Sequence, residues 1–272
     1  MKIGIMSDLH VEHDRAMKIN LAYSGDVLVV AGDLNAYTHM IPDHIREFQK
    51  NYTHVVMVAG NHEFYGNVVE DTIDQLIEYY EDIENFHFLD AEHNPNEMID
   101  DVLFTGDILW SDVTRDPRKA LMLEFMLNDY RKIYVKDSDP VIGTRRLKTE
   151  DVSKWHEFAL NEIKYQLSND YVNRGESAKR IVVTHHAPSR YSLSGYANHD
   201  GDIGYYTDLG AMLHEVTAPQ VWIHGHIHDP SYMSDGTEAV RDYQLGNTRV
   251  IANPFGYPGT YNPGRHETLI EV

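Results

Sequence analysis

The sequence contains no cysteine. That excludes disulfides and thiolate metal sites, so any bound metal must be held by His, Asp, Asn or Glu. Such a donor set suits Mn, Fe or Zn, and Mg as well. Long apolar runs are missing too: no stretch approaches the roughly 18 residues of a membrane span, so no membrane partner is expected. The apolar run within the initial MKIGIMSDLH is too short for a signal-peptide core, and the chain is expected to be cytoplasmic. Basic residues are scarce, 23 Lys and Arg against 43 Asp and Glu, for a net charge of −20. A long nucleic-acid duplex is therefore not an expected partner, because binding one requires basic surface to neutralise phosphates. A small phosphate ester stays open, since bound cations can dominate the local field. No internal repeat or low-complexity linker divides the 272 residues, and one domain over 1–272 is expected. Nothing in the composition fixes the oligomeric state.

Histidine, by contrast, is abundant, with 17 in the chain. Residues 221–230 read VWIHGHIHDP, with His224, His226 and His228 at alternate positions. In an extended strand alternate side chains share a face. A row of imidazoles makes a poor core, because each buried ring needs a hydrogen-bond partner. It makes a good metal site, since neutral imidazole is the commonest protein metal ligand. Gly225 lets the backbone turn or pass close to a neighbour that a Cβ would obstruct. Taken alone, the stretch reads equally well as a strand end carrying surface histidines.

The rest of the chain alternates short apolar runs with helical patterns. Ile3–Met6, Asp26–Ala31, His54–Ala59, Phe86–Leu89, Val102–Trp110, Ile181–Thr184, Val221–Ile223, Glu238–Gln244 and Thr248–Ala252 predict strands, several of them continuous enough to be buried on both faces. Helices are predicted over 38–50, 67–84, 117–129 and 149–168, with Thr149 a candidate N-cap, and over 208–216 with Asp208 as cap. Gly246-Asn247 predicts a turn.

One pattern recurs at the strand ends. Asp8 and His10, Asp33, Asn61 and His62, His185, then His226 and His228 each follow a buried strand. In open α/β folds ligands bind at the C-terminal edge of the strands. Gly-Asp and Gly-Asn are ordinary turn dipeptides singly, but turns do not explain a possible ligand after every strand.

The ordered set DLH (8–10), GDL (32–34), GNHE (60–63), THHAP (184–188) and GHIH (225–228) resembles the calcineurin-like metallophosphoesterase family over most of the chain. MLNDYRKI (126–133) and NPFGYP (253–258) resemble uncharacterised bacterial and phage members of that family, and bring no substrate with them. The resemblance implies an α/β (α+β) fold, a four-layer α/β/β/α sandwich of two mixed β-sheets flanked by helices. It implies two divalent metal ions: Asp8, His10 and His228 on the first, Asn61, His185 and His226 on the second, and Asp33 bridging them. Two ions about 3.5–4 Å apart need a shared anionic ligand, and a hydroxide between them can attack phosphorus in line. His62 is the family's non-ligand histidine, expected to stabilise the phosphoryl group and protonate the leaving oxygen. The family has a single ligand at the His185-His186 pair. His185, directly after the strand, is taken as that ligand, and His186 as lining the site or contacting substrate. His224 precedes the motif and reads either as a residue orienting a neighbour or as a packed histidine.

Two further features bear on specificity. Residues 115–148 hold nine basic residues, Arg115, Arg118, Lys119, Arg131, Lys132, Lys136, Arg145, Arg146 and Lys148, out of the chain's 23. They read as a substrate cap inserted around 112–150, with Arg131 contacting substrate, or as a solvated helix and loop. Ser189-Arg190-Tyr191 and the loop to Tyr206 offer Arg190 as a second substrate contact and tyrosines that stack on a base, or else form an ordinary surface loop.

The expected function is metal-dependent hydrolysis of a phosphodiester or nucleotide-like phosphate ester, with a small phosphorylated molecule as partner. A phosphomonoesterase or protein phosphatase would use the same centre. A nuclease is disfavoured by the charge. A catalytically silent protein-binding scaffold of this fold is disfavoured because every expected ligand is present.

Overall fold

A computed structural model describes residues 1–14, 19, 21–139, 141–193, 201–228, 241–257 and 266–272. Asp229-Pro230, residues 194–200 of the tyrosine-bearing loop, residues 238–240 of an expected strand and Pro258 lie outside the described residues.

The elements in chain order are β1 (Lys2–Met6), β2 (Gly25–Ala31), α1 (Ile41–Phe48), β3 (Tyr52–Val58), α2 (Val69–Asp82), β4 (Phe86–Phe88), β5 (Asn96–Ile99) and β6 (Val102–Asp107). There follow α3 (Pro117–Met126), α4 (Asp129–Lys132), β7 (Tyr134–Lys136), β8 (Thr144–Arg146), α5 (Thr149–Arg174), β9 (Lys179–Thr184), β10 (Val221–His224), β11 (Asp242–Leu245), β12 (Thr248–Ala252) and β13 (Thr268–Glu271). One sheet has the order β13-β1-β2-β3-β4 and the other β11-β12-β10-β9-β6-β5. Each is parallel through its middle and closed by antiparallel edge strands, β13 in the first and β11 and β5 in the second.

Side-chain alternation along the central strands builds the layers. In β2, Val27, Val29 and Ala31 point between the sheets and meet Phe104, Ile181, Val183 and Ile223. Leu28 and Val30 point the other way, onto Ile41 and Ile45 of α1 and Leu76 of α2. On the far face Val182, Trp222 and Val250 pack against Ala159, Ile163 and Leu167 of α5. The result is the expected four-layer α/β/β/α sandwich. Strands β1, β2 and β3 in one sheet and β9 and β10 in the other are parallel, so their C-terminal ends gather at one edge. That edge carries the five motifs. No described helix is long and apolar enough to cross a membrane.

The segment around 112–150 does not stand apart from this body. Leu123, Tyr130, Ile133, Val135 and Leu147 join the same core as α1 and α2. The β7–β8 hairpin is tied to the loop after β3, with Gly66 N–H donating to Lys132 O at 2.8 Å and Tyr134 N–H to Asn67 O at 3.0 Å.

Local expectations differ from the structure in several places. The helix expected over 208–216 is only a single turn of 3₁₀ helix, Met212–His214. The Leu213 carbonyl that a continuing helix would use accepts instead from Asn247 N–H at 2.8 Å. Thr149 is the first helical residue rather than the N-cap. Asp151 takes the Lys148 N–H at 3.0 Å, and the Thr149 hydroxyl donates to Glu124 Oε1 at 2.9 Å. Strand β6 stops at Asp107, whose carboxylate accepts from Leu109 N–H at 2.7 Å and turns the chain before Trp110. Strands β5, β7, β8 and β13, each three or four residues long, are not among the predicted strands.

Arg180 ties the end of α5 to the start of β9. It is buried, and its Nε donates to Asp170 Oδ2 at 2.8 Å. Arg180→Ala is expected to cost about 3 kcal/mol in urea unfolding. That is the lower end for a broken buried pair, because Arg174 still holds Asp170 at 2.5 Å. Metal content should not change.

Candidate metal centre

Asp33 sits where the two sheets' strand ends meet. It follows β2 with a φ of 55°, and its side chain is buried. Oδ1 accepts from His62 N–H at 2.8 Å, while Oδ2 lies 3.6 Å from His10 Nε2 and 3.4 Å from His185 Nε2. One carboxylate thus faces a histidine from each sheet.

Two groups of donors flank it. In the first, ligand atoms of Asp8, His10 and His228 lie within 4.8 Å of one another. In the second, Asp33, His185 and His226 do the same. Asn61 completes the second group, its Oδ1 lying 3.0 Å from His185 Nε2. Asp8, His10, Asp33 and His226 account for half of the eight non-glycine residues with positive φ among the described residues, so backbone strain is concentrated here. Gly225 is explained by closeness: a Cβ there would lie 2.6 Å from Ala31 O and 2.8 Å from Asp8 Oδ2. The backbone of β10 therefore runs directly beside the ends of β1 and β2.

The side chains are oriented so that they could serve as ligands. His185 Nδ1–H donates to Ala31 O at 2.8 Å, leaving Nε2 to face Asp33, where a cation would take the place of a proton. His10 Nδ1 is 3.3 Å from Glu12 Oε1, which likewise turns its Nε2 inward. Fixing the outer nitrogen in this way sets the tautomer a metal needs. His10 Nε2 and His228 Nε2 face each other at 3.3 Å, an approach that a shared cation accounts for. His226 Nε2 and His228 Nδ1 are buried without a hydrogen-bond partner among the described residues. Such orphaned polar atoms are costly unless an ion or water engages them. Burial, reinforced by neighbouring imidazoles, holds His226 well below the usual histidine range; burial also lowers His228. Both are therefore neutral, the ligand form. Burial would lower His185 too, but the Asp33 carboxylate pushes it up to about 10. The centre's negative charge calls for a cation. The donor set fits hard or borderline divalent ions.

His62 lies beside the donors rather than among them. Its Nδ1–H donates to Glu12 Oε1 at 2.8 Å, and Nε2 lies 3.1 Å from the Tyr257 hydroxyl. Burial opposes protonation, but Asp33 and Glu12 raise its affinity for the proton overall. His10, Glu12, His13 and His62 also form a geometric cluster. There the hydrogen bonds from His10 and His62 already account for the Glu12 carboxylate, which they hold at about 2 against the effect of burial.

The remaining expected residues fall in different places. His186 is only 1% exposed, with its ring 4.2 Å from that of His226 and 5.4 Å from that of Trp110. It lines the back of the second group. His224 is a satisfied buried histidine: Nδ1–H donates to Gly225 O at 2.9 Å and Nε2 faces Ser192 Oγ at 2.9 Å. Arg131 lines a cleft of about 420 Å³ that opens beside His62. Arg190 is exposed, with its guanidinium 5.9 Å from the Tyr191 ring, and does not line that cleft.

Sequence reasoning missed four supporting residues. Glu12 orients His10 and His62, and its only signal was its position two residues after His10. Asp129 accepts from Asn61 Nδ2 at 2.8 Å and Tyr65 OH at 2.7 Å, so Asn61 presents its oxygen to the centre. Tyr257 closes over His62. Glu63 takes four backbone N–H groups, of Gly60, Asp33, Leu34 and Asn35, at 2.7 to 3.1 Å. It clamps the loop bearing Asp33 to the loop bearing Asn61.

A family model described as calcineurin-like phosphoesterase matches residues 1–230. No curated protein matches the chain. The crystal structure of phosphopantetheinyl hydrolase from Mycobacterium tuberculosis is similar in fold, with a TM-score of 0.70 at 16% identity over 98% of this chain and 95% of that one. A second solved structure, with a TM-score of 0.48 and 11% identity over 94% of this chain and 90% of that one, is too distant to inform the fold.

Glu63→Gln places an amide NH₂ against backbone N–H donors and loosens Asp33. It is expected to weaken Mn binding about 10–100-fold in competition with a fluorescent chelator. Unchanged affinity would show that the loops hold Asp33 without the clamp.

Proposed function

Because the chain belongs to the calcineurin-like phosphoesterase family, and is therefore a metal-dependent phosphate-ester hydrolase, we propose that it cleaves a phosphodiester or nucleotide-like phosphate ester at a two-metal centre. The observation that carries this reading is the convergence of Asp8, His10 and His228, and of Asp33, His185 and His226, as two donor groups sharing one strand edge. In this reading Asp8, His10 and His228 hold one ion, Asn61, His185 and His226 hold the other, and Asp33 serves both. Bound divalent ions supply Lewis acidity and a nucleophile at neutral pH.

The protein's own groups do the rest. Asp129 turns the Asn61 oxygen inward. Glu12 accepts a hydrogen bond from His62 Nδ1–H and so favours the imidazolium. His62 then donates its Nε2 proton to the leaving oxygen as the ester bond breaks, work suited to a histidine charged near neutral pH. Asp8 accepts from His226 N–H at 3.0 Å and keeps the two sheets' ends in register. Arg131, Lys132, Tyr134 and Arg146 form one wall of the substrate cleft. The substrate is a small phosphorylated molecule. The similarly folded hydrolase is named for a phosphopantetheinyl group, and a ligand of that general kind suits an open cleft beside His62.

Metal-stripped protein refilled with Mn, Fe, Zn or Mg should hydrolyse bis-p-nitrophenyl phosphate in preference to p-nitrophenyl phosphate. The reverse preference would assign a monoesterase. His62→Ala should lower kcat about 10²–10⁴-fold while both ions still bind. His185→Ala should lose an ion that His186→Ala keeps, and the opposite outcome would exchange the roles of the two histidines. Two bound ions without turnover of any ester would favour a binding role.

A further inference from the structure

The basic residues of 115–148 differ in place and partner. Outside the cleft several are paired with carboxylates: Arg145 holds Asp151 through two bonds of 2.6 and 2.7 Å, Lys136 holds Asp71 at 2.7 Å, and Lys119 reaches Asp202 at 3.3 Å, while the Arg115 guanidinium lies 4.0 Å from the centre of the Tyr206 ring. Inside the cleft beside His62 stand Arg131, Lys132 and Arg146. None of these three forms an ion pair with a carboxylate among the described residues. Instead they rest on aromatic faces and carbonyls. Lys132 Nζ lies 4.8 Å from the centre of the Tyr65 ring, and the Arg146 guanidinium 4.1 Å from that of Tyr134. Arg131 Nη2 donates to Phe125 O at 2.8 Å and Met126 O at 2.9 Å, and Arg146 donates to Arg131 O.

In a chain of net charge −20, three adjacent cations spared from carboxylates are an anion site in waiting. The one carboxylate among the described lining residues, Glu12, is engaged by His10 and His62. The strip is also fixed in place. The end of α4, which carries Arg131 and Lys132, and the hairpin that ends at Arg146 are both bonded to the loop after His62, and the His62 ring stacks on Tyr65 at 4.1 Å. His62 marks the leaving-group side of the reaction, so the strip lies where the leaving group must go.

We propose that Arg131, Lys132 and Arg146 form a subsite for a second phosphate on the leaving group, so that the substrate class is small doubly phosphorylated esters. This rests on the phosphoesterase reading above. A phosphate dianion is the fitting ligand, because guanidinium and ammonium donors bind it by charge-assisted hydrogen bonds while the tyrosine faces keep the cations extended.

The test compares adenosine 3′,5′-bisphosphate with adenosine 3′- and 5′-monophosphates on the metal-loaded enzyme. The bisphosphate should be preferred at least about tenfold in kcat/KM, mainly through KM, with the preference shrinking at high salt. Lys132→Gln with Arg146→Gln should collapse the ratio, and Lys132→Arg should retain it. No preference in the wild type, or a preference that survives the double substitution, would overturn the proposal. If none of these monoesters is turned over, calorimetry decides the subsite alone, and the phosphoesterase reading itself fails only if bis-p-nitrophenyl phosphate is untouched as well. Tighter binding of the bisphosphate than of either monophosphate, lost in the double variant, upholds it, and equal binding overturns it.

Discussion

The Asp33 carboxylate is buried and charged, and histidines from both sheets approach it. Burying an unanswered charge costs far more than a fold can spare. Imidazoles, backbone N–H groups and divalent cations can answer it, and the surrounding residues are arranged to present the first two and accommodate the third. His62 N–H meets one oxygen, while His10 and His185 face the other. The Glu63 clamp beneath it holds the same loop through four backbone donors. Burial and the nearby Asp33 charge push Glu63 up to about 7. The two acids are thus coupled through one short stretch of backbone.

The sandwich explains how such a concentration of polar groups is tolerated. Strands buried on both faces supply the apolar mass, and their parallel C-terminal ends place the polar residues at a single edge. Glycine makes the crowding possible. At Gly225 and Gly60 a Cβ would collide with Ala31 O or Asp33 Oδ1, at 2.6 and 2.1 Å. Strain in the backbone of Asp8, His10, Asp33 and His226 is the cost of aiming four donors inward, and the core beneath them over-determines it.

Much of this was legible in the sequence. The apolar runs of β1, β2, β3, β9 and β10 announced buried strands, because burial on both faces leaves no polar position to confuse the period. The polar residue after each run announced the edge. What was not legible has a common physical cause, distance along the chain. Asp129 comes to Asn61 from 68 residues away, and nothing local distinguishes it from the other acids of a strongly acidic chain. Glu63 read only as the last letter of a motif, and its role depends on four N–H groups supplied by two loops. The helix expected over 208–216 failed for a similar reason: Asn247, far along the chain, takes the carbonyl that would have continued it. The cation strip was visible only as a basic segment. Which of its members are paired with carboxylates is a tertiary property.

The central claim, two cations sharing Asp33, is tested most directly by anomalous scattering from crystals grown in saturating Mn. The account predicts two peaks, one among Asp8, His10 and His228 and the other among Asn61, His185 and His226, with Asp33 within bonding distance of both. Ions seated elsewhere, for instance among Glu12, His13 and His62, or a pair of ions that Asp33 does not bridge, would contradict it.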